Sequence, residues 1–478
     1  MRLNQSHPPT ITISFTDTCN LSCAHCYSDC GQRSSDQELS TAQWLEFIDY
    51  LVRNDFIAAY FEGGEPLVRP GFMRVLQRAS RSMMTWLRTH ATLIDASVAR
   101  NLKEAGLGGA FVEVMGANPL THVSSTGVPG SFEATCRGIA HLVNVGIETR
   151  IVVILTRRTA PELNDVLALA RDLGVEQVSV LRLYPIGRAK RLWGELALSL
   201  DEQTAALNAL RPPPGLRVAH SWHPHDKNCC WSSIAVNAHG DSIGCPYLRE
   251  FVNYGNVLEV PLLDSWRQDP LYRFLRSGEV SGGCDECETR EGTRGGCRST
   301  AFAFSGRWDG PDPFCSELNG GVDLRTLPDR QIDLAGMQVP RLPDQAVGQP
   351  AQSDGPIGRS RQQRDERPGS YRLVEGTRMR ELPDRDLCMV YTPRAPALYA
   401  LQDEAWLILR ECLGKTRDEV MNSYASLVAA AGVDSDDAAL DVLEGLGDLE
   451  SKGIIEEVPL LPHLDIRRRE TLHRRTHV

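Results

Sequence analysis

The sequence predicts an α/β protein whose N-terminal part is a partial (β/α)6 TIM-like barrel, followed by a cysteine-rich segment and a small α+β unit. Three observations carry this. Short β-rich runs alternate six times with helical stretches between Thr10 and Leu183. Most of the 14 cysteines gather into three groups, Cys19 to Cys30, Cys229 to Cys245 and Cys284 to Cys315. A stretch rich in Pro, Gln, Asp, Arg and Gly then separates the cysteines from a final compact unit.

The barrel elements follow in order. "TITISF" (Thr10 to Phe15) reads as the first strand, with a polar loop after it. Ser40 is placed to cap a helix running to Arg53, with Trp44, Leu45, Ile48 and Leu51 on one face. "IAAYFE" is the second strand and "GFMRVLQRA" a helix; "TWLRT" is the third, and "ASVARNLKEAG" is a helix closed by Gly106. "AFVEVM" precedes a helix from Ser131 to Asn144, "ETRIVVILT" precedes one from Ala160 to Leu173, and "QVSVLRL" is the sixth strand. Repeated βα units imply a parallel sheet with right-handed crossovers, and six of them an open barrel. Ligands of such folds sit at the C-terminal ends of the strands.

The chain divides into a barrel domain (1–210), a cysteine-rich domain (211–318), a flexible linker (319–369), an α+β domain (370–460) and a basic tail (461–478). Periodicity fades in the second, which has little apolar core and suits bound metal clusters as staples. The linker is polar and Pro-rich. The fourth opens with strands "YRLVEG" and "LCMVYT". Helices follow near Asp403 to Leu413, Arg417 to Ala431 and Asp436 to Lys452, and "IIEEV" closes it. The tail reads as a solvated terminus.

The formal charge of -11 argues against a nucleic-acid partner. "MRLNQSHPPT" has no apolar core of a secretion signal, and no run of ~18 apolar residues suggests a membrane span. The expected location is cytoplasmic. Reducing conditions there favour metal ligation or catalysis over disulfides. Cys136, Cys388 and Cys412 stand apart and read as small core hydrophobes.

Cys19, Cys23 and Cys26 form C-x3-C-x2-C in the loop after the first strand. Three thiolates from one short loop can wrap a 4Fe-4S cube and leave its fourth iron open to a small ligand. A zinc site is the rival, with Cys30 as a fourth ligand. "EGGEP" follows the second strand: Gly63 and Gly64 permit close backbone approach, and Glu65 can meet a charged amine.

With these motifs the stretch from Thr10 to Ser199 resembles the radical S-adenosylmethionine (SAM) superfamily. The resemblance implies that Cys19, Cys23 and Cys26 hold a 4Fe-4S cluster. It also implies that reductive cleavage of SAM there gives a 5′-deoxyadenosyl radical that abstracts hydrogen. It implies SAM contacts at Gly63, Gly64, Glu65 and Pro66, with Glu113 as a ribose contact. No catalytic residue beyond the cluster is assigned. "RTHAT" (Arg88 to Thr92) departs from the Thr-Asn-Gly that relatives show.

The later cysteines resemble the SPASM extension, which carries auxiliary 4Fe-4S clusters. The resemblance implies one cluster on Cys229, Cys230, Cys245 and Cys297, with His225 a possible ligand, and a second on Cys284, Cys287 and Cys315. The family's C-x2-C-x5-C-x3-C core has Thr293 in its third cysteine position here. A poor iron ligand there leaves the second cluster short of a thiolate. A zinc-stapled subdomain is the alternative.

The α+β domain resembles PqqD-like proteins, the winged-helix-like recognition elements for ribosomally made peptides. This implies a precursor peptide as partner, its leader added to a sheet edge, with "LCMVYT" (Leu387 to Thr392) as the candidate edge. Acid-rich helices argue against a DNA-binding winged helix. The combined reading is a radical SAM peptide maturase that uses an electron donor such as flavodoxin or ferredoxin, with oxidative crosslinking as the product class. The alternatives are a SPASM oxidase of a folded protein or small molecule (sulfatase-maturase or heme-pathway type), or a catalytically silent peptide carrier.

Overall fold

The computed structural model describes residues 7–32, 35–220, 233–277, 279–281, 295–316, 318–329, 369–382, 387–429 and 435–458. It consists of two compact units, Met1–Ala351 and Gln352–Val478. Cys229, Cys230, Cys284, Cys287, Thr293, His225, residues 330–368 of the linker and the basic tail lie outside the described residues.

The first unit is built on one all-parallel sheet. Its strands are β1 (Thr10–Thr16), β2 (Ala58–Gly63), β3 (Met84–Thr89), β4 (Gly109–Glu113), β5 (Glu148–Leu155), β6 (Gln177–Arg182), β7 (Arg217–His220) and β8 (Ala235–Val236). They lie in the order β7-β6-β5-β4-β3-β2-β1-β8. The six expected strands are all present, in sequence order. The sheet has eight strands because β7 pairs with β6 and β8 with β1. Both additions come from the segment read as lacking periodicity. β7 has 4 residues and β8 only 2, too short for alternation to show. Among the described residues β7 and β8 do not pair with each other, so the barrel is open.

Helices α1 (Thr41–Arg53), α2 (Phe72–Ser80), α3 (Ala96–Glu104), α4 (Pro119–Thr126), α5 (Ser131–Asn144) and α6 (Leu163–Asp172) fill the crossovers. The α1 start is a capping box: Ser40 Oγ accepts from Gln43 N–H, and Gln43 Oε1 accepts from Ser40 N–H. Trp44, Phe47, Ile48 and Leu51 are its buried face; Phe47 takes the place expected for Leu45, which is half-buried. The core joins this face to Ile11, Ile13, Phe15, Val112, Ile151 and Val180 from the sheet. No helix among the described residues is long and apolar enough to cross a membrane.

The second unit holds an antiparallel sheet of β10 (Arg378–Leu382), β11 (Leu387–Thr392) and β12 (Ala397–Gln402). Strand β9 (Tyr371–Leu373) pairs with β13 (Ile455–Glu457). Three helices, Asp403–Cys412, Arg417–Val428 and Ser435–Ser451, complete it. Cys388, Cys412, Val390, Leu409, Val442 and Leu449 form its core. Cys388 and Cys412 are buried as expected, whereas Cys136 is only half-buried. The candidate edge needs correction. Leu387–Thr392 is the central strand, hydrogen-bonded to β10 on one side and β12 on the other. Its apolar run is the mark of a buried centre. The open edges, among the described residues, belong to β10 and β12.

Candidate active site

The loop that leaves β1 is held from three directions. Cys19 N–H donates to Gly31 O at 2.8 Å, closing the loop on itself. Ser22 N–H and Ala24 N–H donate to Thr126 O and Ser125 O at the end of α4. Arg188 reaches in with Nη1 on Cys23 O and Nη2 on Cys30 O, both at 2.7 Å. Cys19 and Cys30 are buried and Cys23 and Cys26 half-buried. Cys19, Cys23, Cys26 and Cys30 all line a cavity of about 240 Å3 over the strand ends.

Burial pushes the Cys19 thiol up to about 12 and the Cys23 thiol well above its ordinary value. The hydrogen bond between Cys30 and Cys26 favours ionisation at Cys26 and keeps Cys30 protonated. A metal exchanges for these protons and removes the conflict between burial and thiolate charge. His25 is buried between them, and its Nδ1 has no hydrogen-bond partner among the described residues. Three thiols from one loop around a cavity, with an orphaned imidazole nitrogen beside them, fit an iron-sulfur cluster and a ligand next to it.

The glycine loop must be glycine. A Cβ on Gly63, whose φ is +133°, would meet Thr16 O at 2.3 Å, and one on Gly64 would meet Thr18 O at 2.1 Å. Gly64 N–H and Glu65 N–H donate to those same carbonyls, zipping this loop to the cysteine loop. Gly63, Gly64 and Glu113 line the cavity, while Glu65 and Pro66 do not. The fully buried Glu65 carboxylate accepts from Thr89 Oγ1 at 2.6 Å, His90 N–H at 3.2 Å and Leu67 N–H at 3.2 Å. It ties the glycine loop to the end of β3.

"RTHAT" supplies that tie. His90 Nδ1 accepts from Thr92 N–H, so the proton sits on Nε2, which lies 3.0 Å from Asn20 Oδ1 and 3.2 Å from Glu65 Oε2. Asn20 stands between Cys19 and Cys23, and its Nδ2 donates to Thr92 Oγ1. His90 thus joins three loops.

Several cavity residues escaped the sequence reading. Glu62 is buried and accepts from Tyr27 OH at 2.8 Å and Arg88 Nη1 at 2.8 Å. Burial opposes charge on Arg88, but Glu62 beside it holds the guanidinium ionised. His25 Nε2 lies 3.2 Å from Glu113 Oε2. Burial works against both, and each still stabilises the other's charged form. Tyr184 and Tyr247 stack at 3.5 Å, and Tyr27 meets Tyr247 edge-on. Glu62 and Arg88 carry a signal, since they flank the glycine loop and open the departing "RTHAT"; Tyr184 and Tyr247 carry none. Of the auxiliary cysteines, Cys245 and Cys315 are buried, Cys297 is half-buried, and the other four fall outside the described residues.

The model of the Radical SAM superfamily matches residues 13–174. The mycofactocin maturase MftC of Mycobacterium ulcerans is 30% identical over 347 residues, covering 68% of this chain and 93% of that one. The chain belongs to the radical SAM superfamily. It is a radical SAM enzyme, with SAM and a 4Fe-4S cluster as its cofactors. An AdoMet-dependent heme synthase of Methanosarcina barkeri is 27% identical, covering 64% of this chain and 96% of its own. A PqqA peptide cyclase of Gluconobacter oxydans is 27% identical, covering 65% and 91%. Streptococcus suis SuiB bound to S-adenosylmethionine shares the radical SAM fold, with a TM-score of 0.55 at 17% identity over 65% of this chain and 78% of that chain.

Proposed function

We propose that this radical SAM enzyme modifies a ribosomally made precursor peptide, with oxidative crosslinking as the product class. The observation that carries the reading is the pairing, on one chain, of a thiol-lined cavity with a separate α+β unit that has open sheet edges. The maturase and peptide-cyclase names of two relatives support it. Cys19, Cys23 and Cys26 would hold the cluster, and Gly63 and Gly64 would admit the methionine part of SAM. When bound, cluster and SAM supply a one-electron cleavage that yields a hydrogen-abstracting radical.

The chain's own residues do the rest. Arg188 and the α4 carbonyls hold the cysteine loop still. His25 and Glu113 present a polar edge suited to a ribose, and the Tyr184–Tyr247 stack walls the cavity against water. The second unit, PqqD-like in this reading, would take the leader as an added strand on β10 or β12. The linker would raise the local concentration of the core peptide at the cavity. Cys245 and Cys297, with Cys229 and Cys230, would ligate one auxiliary cluster. Cys284, Cys287 and Cys315 would ligate another, short of a thiolate at Thr293. A flavodoxin or ferredoxin would supply the electron.

The heme synthase relative favours a second reading, oxidation of a small molecule. Anaerobic incubation of the reconstituted enzyme with SAM, dithionite and leader-bearing peptides separates the two. Peptide-dependent 5′-deoxyadenosine release with a mass change in the core supports the maturase. Release that only a porphyrin-type substrate stimulates supports the oxidase.

A further inference from the structure

Arg182 ends β6 and lines the cavity that holds Cys19, Cys23 and Cys26. Its Nη1 donates to Asp312 Oδ2 at 2.8 Å, across 130 residues of sequence, and the two side chains are only 1% and 0% exposed. The Asp312 carboxylate also accepts from the main chain of the cysteine-rich segment: Oδ2 from Cys297 N–H at 2.8 Å and Oδ1 from Phe314 N–H at 3.1 Å. The Asp312 carbonyl accepts from Cys315 N–H at 2.9 Å. One aspartate therefore fixes the backbone at both Cys297 and Cys315, and its charge is balanced by an arginine in the cavity wall. Arg298 pins the same turn from the other side, with Nη1 on Trp308 O and Gly310 O.

A fully buried ion pair is costly to desolvate, and an apolar pair of similar volume often serves stability as well. Charge at this place thus calls for a use beyond packing. The use on the page is electrostatic, because the carboxylate holds the Cys297 amide and the guanidinium lies 2.8 Å from that carboxylate, both in a low-dielectric interior.

We propose that the Arg182–Asp312 pair links the SAM cavity to the auxiliary cysteines, fixing Cys297 of one auxiliary cluster and Cys315 of the other and setting the reduction potentials of the iron each holds. Arg182 is then a positioning residue. This rests on the reading that Cys297 and Cys315 ligate iron. The two charges act with opposite sign. Without the guanidinium, the remaining carboxylate favours oxidised iron and the potential falls. Without the carboxylate charge, the guanidinium favours reduced iron and the potential rises.

The test is an EPR-monitored redox titration, with iron counted per chain, on the full-length reconstituted enzyme. Arg182→Met, Asp312→Asn and Arg182→Lys are compared with the parent and with Cys297→Ala. The expected result is a lower auxiliary potential in Arg182→Met, a higher one in Asp312→Asn, and a value near the parent in Arg182→Lys. The signal of the Cys19, Cys23 and Cys26 cluster stays in all. Loss of auxiliary iron alone in the first two, with retention in Arg182→Lys, also supports the link. Equal shifts in one direction, no shift, or loss of all iron in every variant overturns it. If Cys297→Ala holds as much iron as the parent, the auxiliary-iron reading itself fails, and the proposal with it.

Discussion

The first unit carries cysteines in two regions that are built by different means. The Cys19–Cys26 loop is framed mostly by main chain: Gly31, Thr126 and Ser125 carbonyls receive its amides, the glycine loop is zipped onto Thr16 and Thr18, and the Arg188 side chain bridges two of its carbonyls. The Cys297–Cys315 region is framed by side chains: Arg182, Arg298 and Asp312 tie down the turns that flank the helix Arg298–Ser305. The end of β1 and the end of α4 offer main-chain carbonyls close together, so a short loop with fixed spacing suffices there. In the second region one local carboxylate, Asp312, collects the amides of Cys297 and Phe314, and its counter-charge Arg182 comes from 130 residues away.

The largest expected effect breaks the first region and spares the second. Cys23→Ala should bring 5′-deoxyadenosine to background, measured by chromatography after anaerobic turnover. Cys297→Ala should retain SAM cleavage and lose peptide product. Removal of the second unit, leaving residues 1–351, should likewise keep SAM cleavage and abolish turnover of a leader-bearing peptide. Unchanged peptide turnover would discard the recognition role.

A smaller effect sharpens how α4 holds the cysteine loop. His122 is buried on α4, and its Nδ1 accepts from Met115 N–H. Burial holds its ring down to about 4 from the ordinary 6.5. The unfolded chain then binds the extra proton between those values, so stability falls as pH drops through that window. His122→Asn should remove about 3 kcal/mol of this pH dependence, read from urea midpoints at each pH.

Gly64→Ala places a methyl against Thr18 O and should cost about 1–3 kcal/mol. If the strain is relieved at the glycine loop, SAM affinity falls by a comparable factor, measured by calorimetry. His90→Ala removes the ring's contacts to Asn20, Thr92 and Glu65 and should cost about 1–3 kcal/mol. It should speed iron loss to a chelator and couple non-additively with Asn20→Ala, because the two side chains share one network.

These regions also differ in how far the sequence reveals them. The six core strands, the Ser40 cap and the Cys19, Cys23 and Cys26 loop are local patterns, readable over a few residues. Strands β7 and β8 were hidden because they are short, and β8 also pairs with β1, far away in the chain. β10 was hidden because "RMREL" alternates charge rather than apolar residues, which made Leu387–Thr392 look like an edge. Glu65 was legible as part of a motif, yet its carboxylate faces β3 rather than the cavity, a matter of fold alone. Arg182 and Asp312 meet across 130 residues, and nothing nearby marks either one.

The most direct test of the account is turnover by the full-length, anaerobically reconstituted enzyme with SAM, dithionite and a leader-bearing precursor peptide. The account predicts 5′-deoxyadenosine together with a core peptide that has lost a pair of hydrogen atoms. An iron-replete enzyme that cleaves no SAM, or cleaves it equally with and without any such peptide, would contradict it.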